Sequence, residues 1–547
     1  MGVSLSKPDV LIIGAGPVGL TLAIDLARRG VGVAMLETRR RGEAPSVKCN
    51  HVAARSMEIF RRLGVAPALR DAGLPPDYPN DVTYRTTMTG IELTRIPIPC
   101  RRSRFTATDG PDTWWPTPEP PHRINQIFLE PILFEHAWHT PGITIHNRTE
   151  FIDLAQDADG VSVVARDLDS GTGQTMRASY VIGCDGARSE VRRNLGVKLE
   201  GDAVVQRVQS SYIRAPDLLG RIKGAPAWCN FSLNPRRSGN VYAIDGRETW
   251  LVHNYLRPDE ADFDSVNRDA CLRTILGVGD DFRYEVLTHE DWFGRRLLAD
   301  RFRVGRVFLC GDASHIWVPY AGYGMNAGIA DAADLAWKLA GSLAGWGGDA
   351  LLDAYEAERR PITDQVSRFA MDHAHAMARQ RGTVPAEIED DTPAGEVARA
   401  TLGRSAYDLN VQQYCCAGLN FGAYYDASPL LQGDGEAHPP YAMGSFTAST
   451  VPGCRAPHVW LPDGRSLYDV TGDDHALLRL APHVDAAPLL AAAATRGLPM
   501  RLHDVAVDDP AYRHRLVLVR PDQHVGWRGD AIPADPLALV DRLRGAA

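Results

Sequence analysis

Asp9-Val-Leu-Ile-Ile13-Gly14-Ala-Gly16-Pro-Val-Gly19-Leu20 is the stretch on which the fold turns. Its first five residues form a run rich in β-branched and aliphatic side chains that stops at glycine, as a strand buried on both faces does. Gly14 to Gly19 makes a turn of the GxGxxG kind. Leu20 to Arg29 carries apolar residues at helical spacing, and Gly30 is placed to end that helix. Val31 to Leu36 is a second strand, closed by Glu37. Each part has a physical task in holding a dinucleotide. Gly14 permits the tight turn, Gly16 lets the backbone approach a pyrophosphate, and Gly19 lets helix and strand pack closely. The pyrophosphate meets free N–H groups at the positive end of the helix, and Glu37 accepts hydrogen bonds from a ribose diol. A glutamate serves the adenosine ribose of FAD and of NAD alike, so this motif alone leaves both open.

The chain around that unit has 547 residues, enough for several domains and a large core. Its 44% hydrophobic and 23% charged content is ordinary for a soluble globular protein. A net charge of -9 without a long basic run argues against a nucleic-acid surface. No stretch approaches the roughly eighteen consecutive apolar residues of a membrane span. The run from Val10 to Gly14 is too short for a signal peptide. Nine cysteines are scattered, with Cys415–Cys416 the only close pair and neither CxxC nor zinc spacing present. Reduced thiols in a cytoplasmic enzyme without a bound metal fit that pattern.

Farther along, Asp112 to Pro121 is a Pro-rich, Trp-containing loop, and Ile143 to Asp167 alternates like a β-hairpin. Tyr180 to Gly183 is a short buried strand. Residues 200 to 290 are rich in β-type residues, with turns at Asn234-Pro235 and Asp245-Gly246. Val304 to Leu309 is a strand and Asn326 to Leu343 a helix with small residues on one face. Proline and acidic residues at 384 to 394 predict a linker, and the C-terminal end has the strand–helix–strand texture of a separate small domain. No internal repeat is visible.

Two later motifs choose the cofactor. The first is Tyr180-Val-Ile-Gly-Cys-Asp185-Gly186-Ala-Arg188-Ser189-Glu-Val-Arg192. The second is Gly305-Arg-Val-Phe-Leu-Cys-Gly311-Asp312-Ala-Ser-His315, followed by Pro319-Tyr-Ala-Gly322-Tyr-Gly324-Met325-Asn326-Ala-Gly-Ile-Ala-Asp331. With the first turn, they make the chain resemble the FAD-dependent aromatic hydroxylases, the p-hydroxybenzoate hydroxylase and phenol hydroxylase superfamily of single-component flavoprotein monooxygenases. The resemblance implies that Asp185-Gly186 lies near FAD and the nicotinamide cofactor, and that Asp312 holds the ribityl or ribose part of FAD. Gly322 and Gly324 let the backbone run against a flat ring. A helix starting at about Asn326 puts its positive end where a reduced flavin carries negative charge. Many relatives have glutamine where Tyr323 stands. Arg123-Ile-Asn-Gln126, followed by Leu129-Glu-Pro, resembles the helix start whose glutamine contacts FAD. Lys48-Cys-Asn-His51-Val-Ala-Ala-Arg55-Ser-Met-Glu58 resembles the helix that covers the flavin, with lysine where relatives often have arginine. Arg55 and Glu58 equally fit a surface ion pair.

The resemblance implies an α/β architecture: a Rossmann-type FAD-binding domain with an inserted sheet-based substrate domain, plus a C-terminal thioredoxin-like domain. The FAD domain takes 1–85, 122–200 and 290–385, the substrate domain 86–121 and 201–289, and the C-terminal domain 400–547 with a core from about 450. Gly453-Cys454-Arg-Ala-Pro457 and Leu516 to Arg528 carry that last likeness. With Cys454 alone and no CxxC partner, it is expected to be structural or oligomerising, and a homo-oligomer is left open. Cofactor contacts are expected from Gly14, Gly16, Pro17, Gly19, Glu37, Thr38, Arg39, Lys48, Gln126, Asp185, Gly186, Gly311, Asp312, Pro319, Gly322, Tyr323, Gly324, Met325 and Asn326.

The implied reaction consumes NADPH or NADH and O2, and oxygenates a small phenolic or hydroxy-heteroaromatic substrate through a flavin C4a-hydroperoxide. A base near the substrate hydroxyl would accelerate it, and His51 is the expected base. His315 is expected to support the FAD loop. Trp228, Phe231, Tyr242, His253 and Trp292 are the candidates to line the substrate pocket, with Trp114 and Trp115 as further aromatics. Baeyer–Villiger oxidation or epoxidation on the same scaffold, and an oxygen-independent flavin reductase or dehydrogenase, are the competing readings. A halogenase is disfavoured by the lack of a WxWxIP segment.

Overall fold

The structure, a computed structural model, describes residues 8–318 and 322–547. Its first layer is a six-stranded sheet in the order Arg303–Val304, Val307–Leu309, Tyr180–Gly183, Val10–Ile13, Val33–Glu37, Ile143–Asn147. All neighbours are parallel except the first pair. Val10–Ile13 is buried along its whole length, as expected of a central strand covered on both faces. Two helices, Pro17–Arg28 and Tyr323–Leu343, pack on this sheet and on each other. Gly328 makes their approach possible, because a Cβ there would stand 2.6 Å from Val18.

The hairpin expected over Ile143 to Asp167 divides in two. Ile143–Asn147 joins the first sheet beside Val33–Glu37. Arg148, in the left-handed region at φ 55, then redirects the chain. The hairpin itself is Thr149–Asp157 with Gly160–Asp167, extended by Gly173–Ala178.

The second layer is an eight-stranded sheet in the order His315–Ile316, Glu285–Ala299, Leu199–Arg214, Thr249–Tyr255, Gly239–Ala243, Cys229–Ser232, Val82–Arg85, Glu92–Ile96. It therefore claims strands on both sides of the expected boundaries at 85 and 290. The Arg268–Leu276 helix packs on it, with Ile275 against Gly239. Two long helices, Ala350–Gly382 and Pro393–Tyr414, add Met371, Ala374, Leu402 and Ala406 to the same core. The segment predicted as a linker is a 3-10 turn, Ala386–Glu389, between those helices, and its Ile388 is fully buried. Residues 400–414, expected in the C-terminal unit, thus belong to the second core, because their apolar side is covered there.

The C-terminal sheet has the order Met500–Asp504, His475–Arg479, Leu516–Val519, Val525–Gly529. Its first pair is parallel and the others antiparallel. Helices Ala487–Thr495 and Pro536–Leu543 close one apolar cluster around Leu518 and Trp527. The strand–helix–strand start followed by a hairpin and helix is the thioredoxin-like arrangement. Among the described residues, no helix is long and apolar enough to cross a membrane.

Candidate active site

The carboxyl ends of the parallel strands in the first sheet open onto one groove, where α/β sheets bind ligands. The three glycines of its first turn meet different constraints. A Cβ on Gly14 would lie 2.5 Å from the Cys184 carbonyl oxygen, and one on Gly19 would lie 2.2 Å from the carbonyl oxygen of Gly14. Around Gly16 nothing stands within 4 Å of a Cβ position, so this backbone faces open space. Gly16 also caps the Pro17–Arg28 helix without a side-chain acceptor, which leaves its first-turn amides available.

Glu37, at the end of the second strand, accepts hydrogen bonds from the Ala15 amide at 2.9 Å and the Arg39 amide at 2.9 Å. Burial pushes its carboxyl up, but hydrogen bonds and charge from Arg39 outweigh this and hold it below the usual range. Thr38 stands beside it, and Arg39 reaches on to Glu130 at 2.5 Å. Gln126 donates to Glu130 at 2.8 Å. The residues expected at the adenosine end are thus brought together, and Glu130 joins them. Its position one helical turn after Gln126 was a legible signal.

Lys48 pairs with Glu290 of the second sheet at 3.0 Å, bridging the two layers at the mouth of the groove. Asp185 accepts the Val191 amide at 3.1 Å through one oxygen, while Oδ1 is buried without a partner, and burial raises its pKa. Gly186 beside it has open space where a side chain would stand. Asp312 sits in a 3-10 turn, Gly311–Ala313, with its carboxylate open to the groove. The surrounding protein walls push its pKa up against the pull of His315 and Lys48. His315 is bound to Asp331 at 2.7 Å, and Asp331 to Arg359 at 2.8 Å, a chain that supports this turn from behind.

Pro319 lies outside the described residues. The helix expected from Asn326 begins at Tyr323, with Gly322 as its cap in the left-handed region at φ 67. A Cβ on Gly322 would meet the His51 ring at 3.1 Å, so this glycine serves the approach of His51. Asn326 turns inward: it accepts the Ala53 amide at 2.8 Å and donates to the His51 carbonyl at 3.1 Å and to the Gly322 carbonyl. Its side chain ties the 51–53 segment to the helix. Tyr323 likewise points into a cluster with Trp317, Val366 and Cys416, because its ring is covered there. A Cβ on Gly324 would lie 3.8 Å from the Trp317 indole nitrogen, and Met325 packs on the first core.

His51 does not meet the requirement for a base near neutrality. It is 6% exposed, and Arg123 donates to its Nδ1. Burial first, and then the charges of Arg123 and His122, hold its pKa well below the ordinary value. Arg123 lies 4.7 Å over the Trp228 ring and 5.9 Å from that of Tyr414. From Trp228 a row of rings runs along the second sheet: Tyr242 at 5.2 Å, His253 5.8 Å from Tyr242, and Trp292 6.0 Å from His253. Ser210 fixes its far end, bonding His253 Nδ1 at 2.7 Å and accepting from the Trp292 indole at 2.7 Å. Burial lowers His253 to about 4, so it too is neutral. Four of the five expected substrate residues share this row. The fifth, Phe231, stacks on Tyr84 at 4.9 Å, and both are buried in the second core, which corrects its assignment to a pocket. Trp114 is 54% exposed and stacks with Trp115 at 6.2 Å, apart from the row. Tyr414 had no sequence signal, since it reaches Arg123 across 291 positions.

Arg55 and Glu58 are not a surface pair. Their 3.0 Å bridge is buried on the Glu58 side, and Arg455 of the C-terminal unit binds the same carboxylate.

A family model described as FAD binding domain matches residues 7–370, and one described as aromatic-ring hydroxylase, C-terminal, matches residues 449–547. The chain is 32% identical to an FAD-dependent monooxygenase of Emericella nidulans, over 97% of this chain and 88% of that one. The rebeccamycin biosynthetic enzyme RebC with reduced flavin matches at TM-score 0.89 and 34% identity, covering 99% of each chain. Aklavinone-11 hydroxylase, in a complex with FAD and aklavinone, matches at TM-score 0.81 and 27% identity, covering 99% of this chain and 100% of that one.

Proposed function

The chain belongs to the FAD-dependent aromatic-ring hydroxylases, and from that membership we propose that it oxygenates a planar polycyclic phenol at the expense of NAD(P)H. The groove fits FAD: Gly16 faces open space, a buried Asp185 oxygen has no protein partner, and Asp312 is open to the groove. FAD bound there supplies the electron transfer and oxygen activation that side chains cannot. The helix amides behind Gly16 bind the pyrophosphate, Glu37 the ribose diol, and Asp312 the ribityl chain. The uncapped start of the Tyr323–Leu343 helix stabilises negative charge on the reduced ring. Lys48, held by Glu290 across the mouth, is the cation placed to meet the phosphates of NAD(P)H. The balance is one aromatic C–H, O2, NAD(P)H and one proton giving a phenol, water and NAD(P)+.

The row Trp228–Tyr242–His253–Trp292 carries the choice of substrate. Its Trp228 end is buried in the second core, while Tyr242, His253 and Trp292 are half-buried; neighbouring rings stand at 56°, 75° and 90° to one another, neutral walls that offer both faces and edges to an aromatic molecule. Among the relatives, aklavinone-11 hydroxylase is seen in a complex with FAD and aklavinone, and RebC is a rebeccamycin biosynthetic enzyme. The test is NAD(P)H consumption by the purified yellow protein in air with phenol, a pyridinol, a naphthol and a hydroxyanthraquinone. The expected outcome is acceleration by the fused-ring compounds, with one oxygen atom gained and little peroxide released. Acceleration by phenol alone would overturn the substrate class, and an ester or ring-expanded lactone product would overturn hydroxylation.

A further inference from the structure

A second cavity, of about 70 Å³, runs behind the Tyr323–Leu343 helix on a face other than the one packed on Pro17–Arg28. Tyr323, Asn326, Ala327, Ala330, Ala333 and Asp334 line it, one stripe at helical spacing. The eleven rises of about 1.5 Å from Tyr323 to Asp334 make it roughly 16 Å long. The three alanines leave room along its middle, and polar groups stand at both ends. Its near end, at Asn326 and Ala53, adjoins the Gly322 turn of the cofactor groove. The C-terminal unit contributes Arg455, Asp522 and His524 to its lining.

Five polar atoms of its lining are buried without a hydrogen-bond partner: the Tyr323 and Tyr441 hydroxyls, Thr363 Oγ1, Arg455 Nη1 and Asp334 Oδ2. Leaving such groups unsatisfied costs about 1–3 kcal/mol each. Water resolves that cost, and the volume accommodates roughly five molecules. Asp334 is faced by Lys338 on its own helix, by Glu358 and Arg359 on the Ala350–Gly382 helix, and by Tyr425, Arg520 and Asp522. Three carboxyls, Asp334, Glu358 and Asp522, share two cations, Lys338 and Arg520, while Arg359 is committed to Asp331. With three carboxyls to two cations in a dry site, a proton on one of them is favoured. Burial, the largest influence, pushes Asp334 well above the carboxylate range, whereas Glu358 and Asp522 are held low despite their burial, first by Arg520.

We propose that this cavity is a proton conduit, in which water held by Tyr323, Thr363, Tyr441 and Arg455 links the carboxyl of Asp334 to the cofactor end of the helix. Monooxygenation as balanced above takes up one proton per turnover; Asp334 gives it up through the conduit and regains one from bulk solvent through the same water before the next turnover. The C-terminal unit, which lacks a CxxC pair, thereby acquires a role in the chemistry. This rests on the monooxygenase reading, but its test needs neither NAD(P)H nor an aromatic.

The holoenzyme is examined by infrared spectroscopy during transfer into D2O. A protonated-carboxyl band should appear, move on 13C-aspartate labelling and vanish in Asp334→Asn. Its exchange with deuterium should slow at least tenfold in Ala330→Leu, which fills the cavity and keeps every polar group. In a second measurement, bound FAD is reduced anaerobically and its protonation after a pH jump is followed by absorbance. Ala330→Leu should slow that step at least tenfold at unchanged FAD content. Absence of an aspartate-derived band, or exchange or flavin protonation at the wild-type rate in Ala330→Leu, overturns the conduit. Should Asp334→Asn fail to fold, the labelling and Ala330→Leu results still decide.

Discussion

His51 stands where a catalytic base was expected, yet its neighbours keep it neutral. Dehydration and the adjacent guanidinium of Arg123 both oppose protonation, so it contributes a fixed hydrogen bond and not a proton switch. The kcat–pH profile should therefore lack an inflection from His51 between pH 6 and 8, and His51→Asn should leave the shape of that profile unchanged. Conversion of Arg123 to Met should move the His51 pKa upward, measured by NMR titration of the ring. The type and place of His51 were legible from the motif it sits in. Its electrostatics were not, because Arg123 is 72 positions away and reaches it only through the folded chain.

Two glycines of one turn give opposite outcomes at the scale of the element. Gly16→Ala should fold with unchanged stability, because a Cβ there meets no protein atom, but should bind FAD at least tenfold more weakly, read by fluorescence titration. Gly19→Ala should lose about 1–3 kcal/mol of stability, read by urea denaturation, because its Cβ would overlap the Gly14 carbonyl. Strand, turn and helix were all legible here, since glycine spacing and apolar periodicity are local. The Tyr323–Leu343 helix was legible less well. Its start was expected at Asn326, but Gly322 supplies the left-handed cap and the helix begins one turn earlier. Asn326→Ala should release the 51–53 segment and cost about 1–3 kcal/mol for the donors and acceptors it strands.

The whole molecule is bound together by buried charge. Arg520 of the C-terminal unit grips Glu358 with both terminal nitrogens, at 2.7 and 2.8 Å, and Lys338 holds the same carboxylate at 2.6 Å. Arg455 on Glu58 and Asp473 on Arg62 add two more crossings. Removing one partner leaves the others charged and dry, so Arg520→Met should cost about 3–5 kcal/mol. Calorimetry should show one transition for the wild-type chain, and not a separately melting C-terminal unit. Acid should loosen the same assembly. Burial lowers His122 and His475 to about 3 each, so below pH 6.5 the unfolded chain binds protons that the folded chain refuses. Stability is full above that pH and is lost as pH falls toward 3, by roughly 2 kcal/mol for each histidine at pH 5. Urea midpoints at pH 7.5 and pH 5 measure it.

Sequence alone determined the glycine turns, the buried strands of the first sheet, and the family with its cofactor, because these rest on contacts between residues near in the chain or on motifs of fixed spacing. It also named by type the four aromatics that form the row on the second sheet. Only the tertiary structure decided that they form one row, that Phe231 does not join it, that 384–394 is a packed turn in place of a linker, and that 400–414 belongs to the second core and not to the C-terminal unit. It alone made His51 neutral and gathered Asp334, Glu358, Arg520 and Asp522 into one buried network. Burial and charge pairing are properties of the surroundings, and those surroundings arrive from segments hundreds of residues apart.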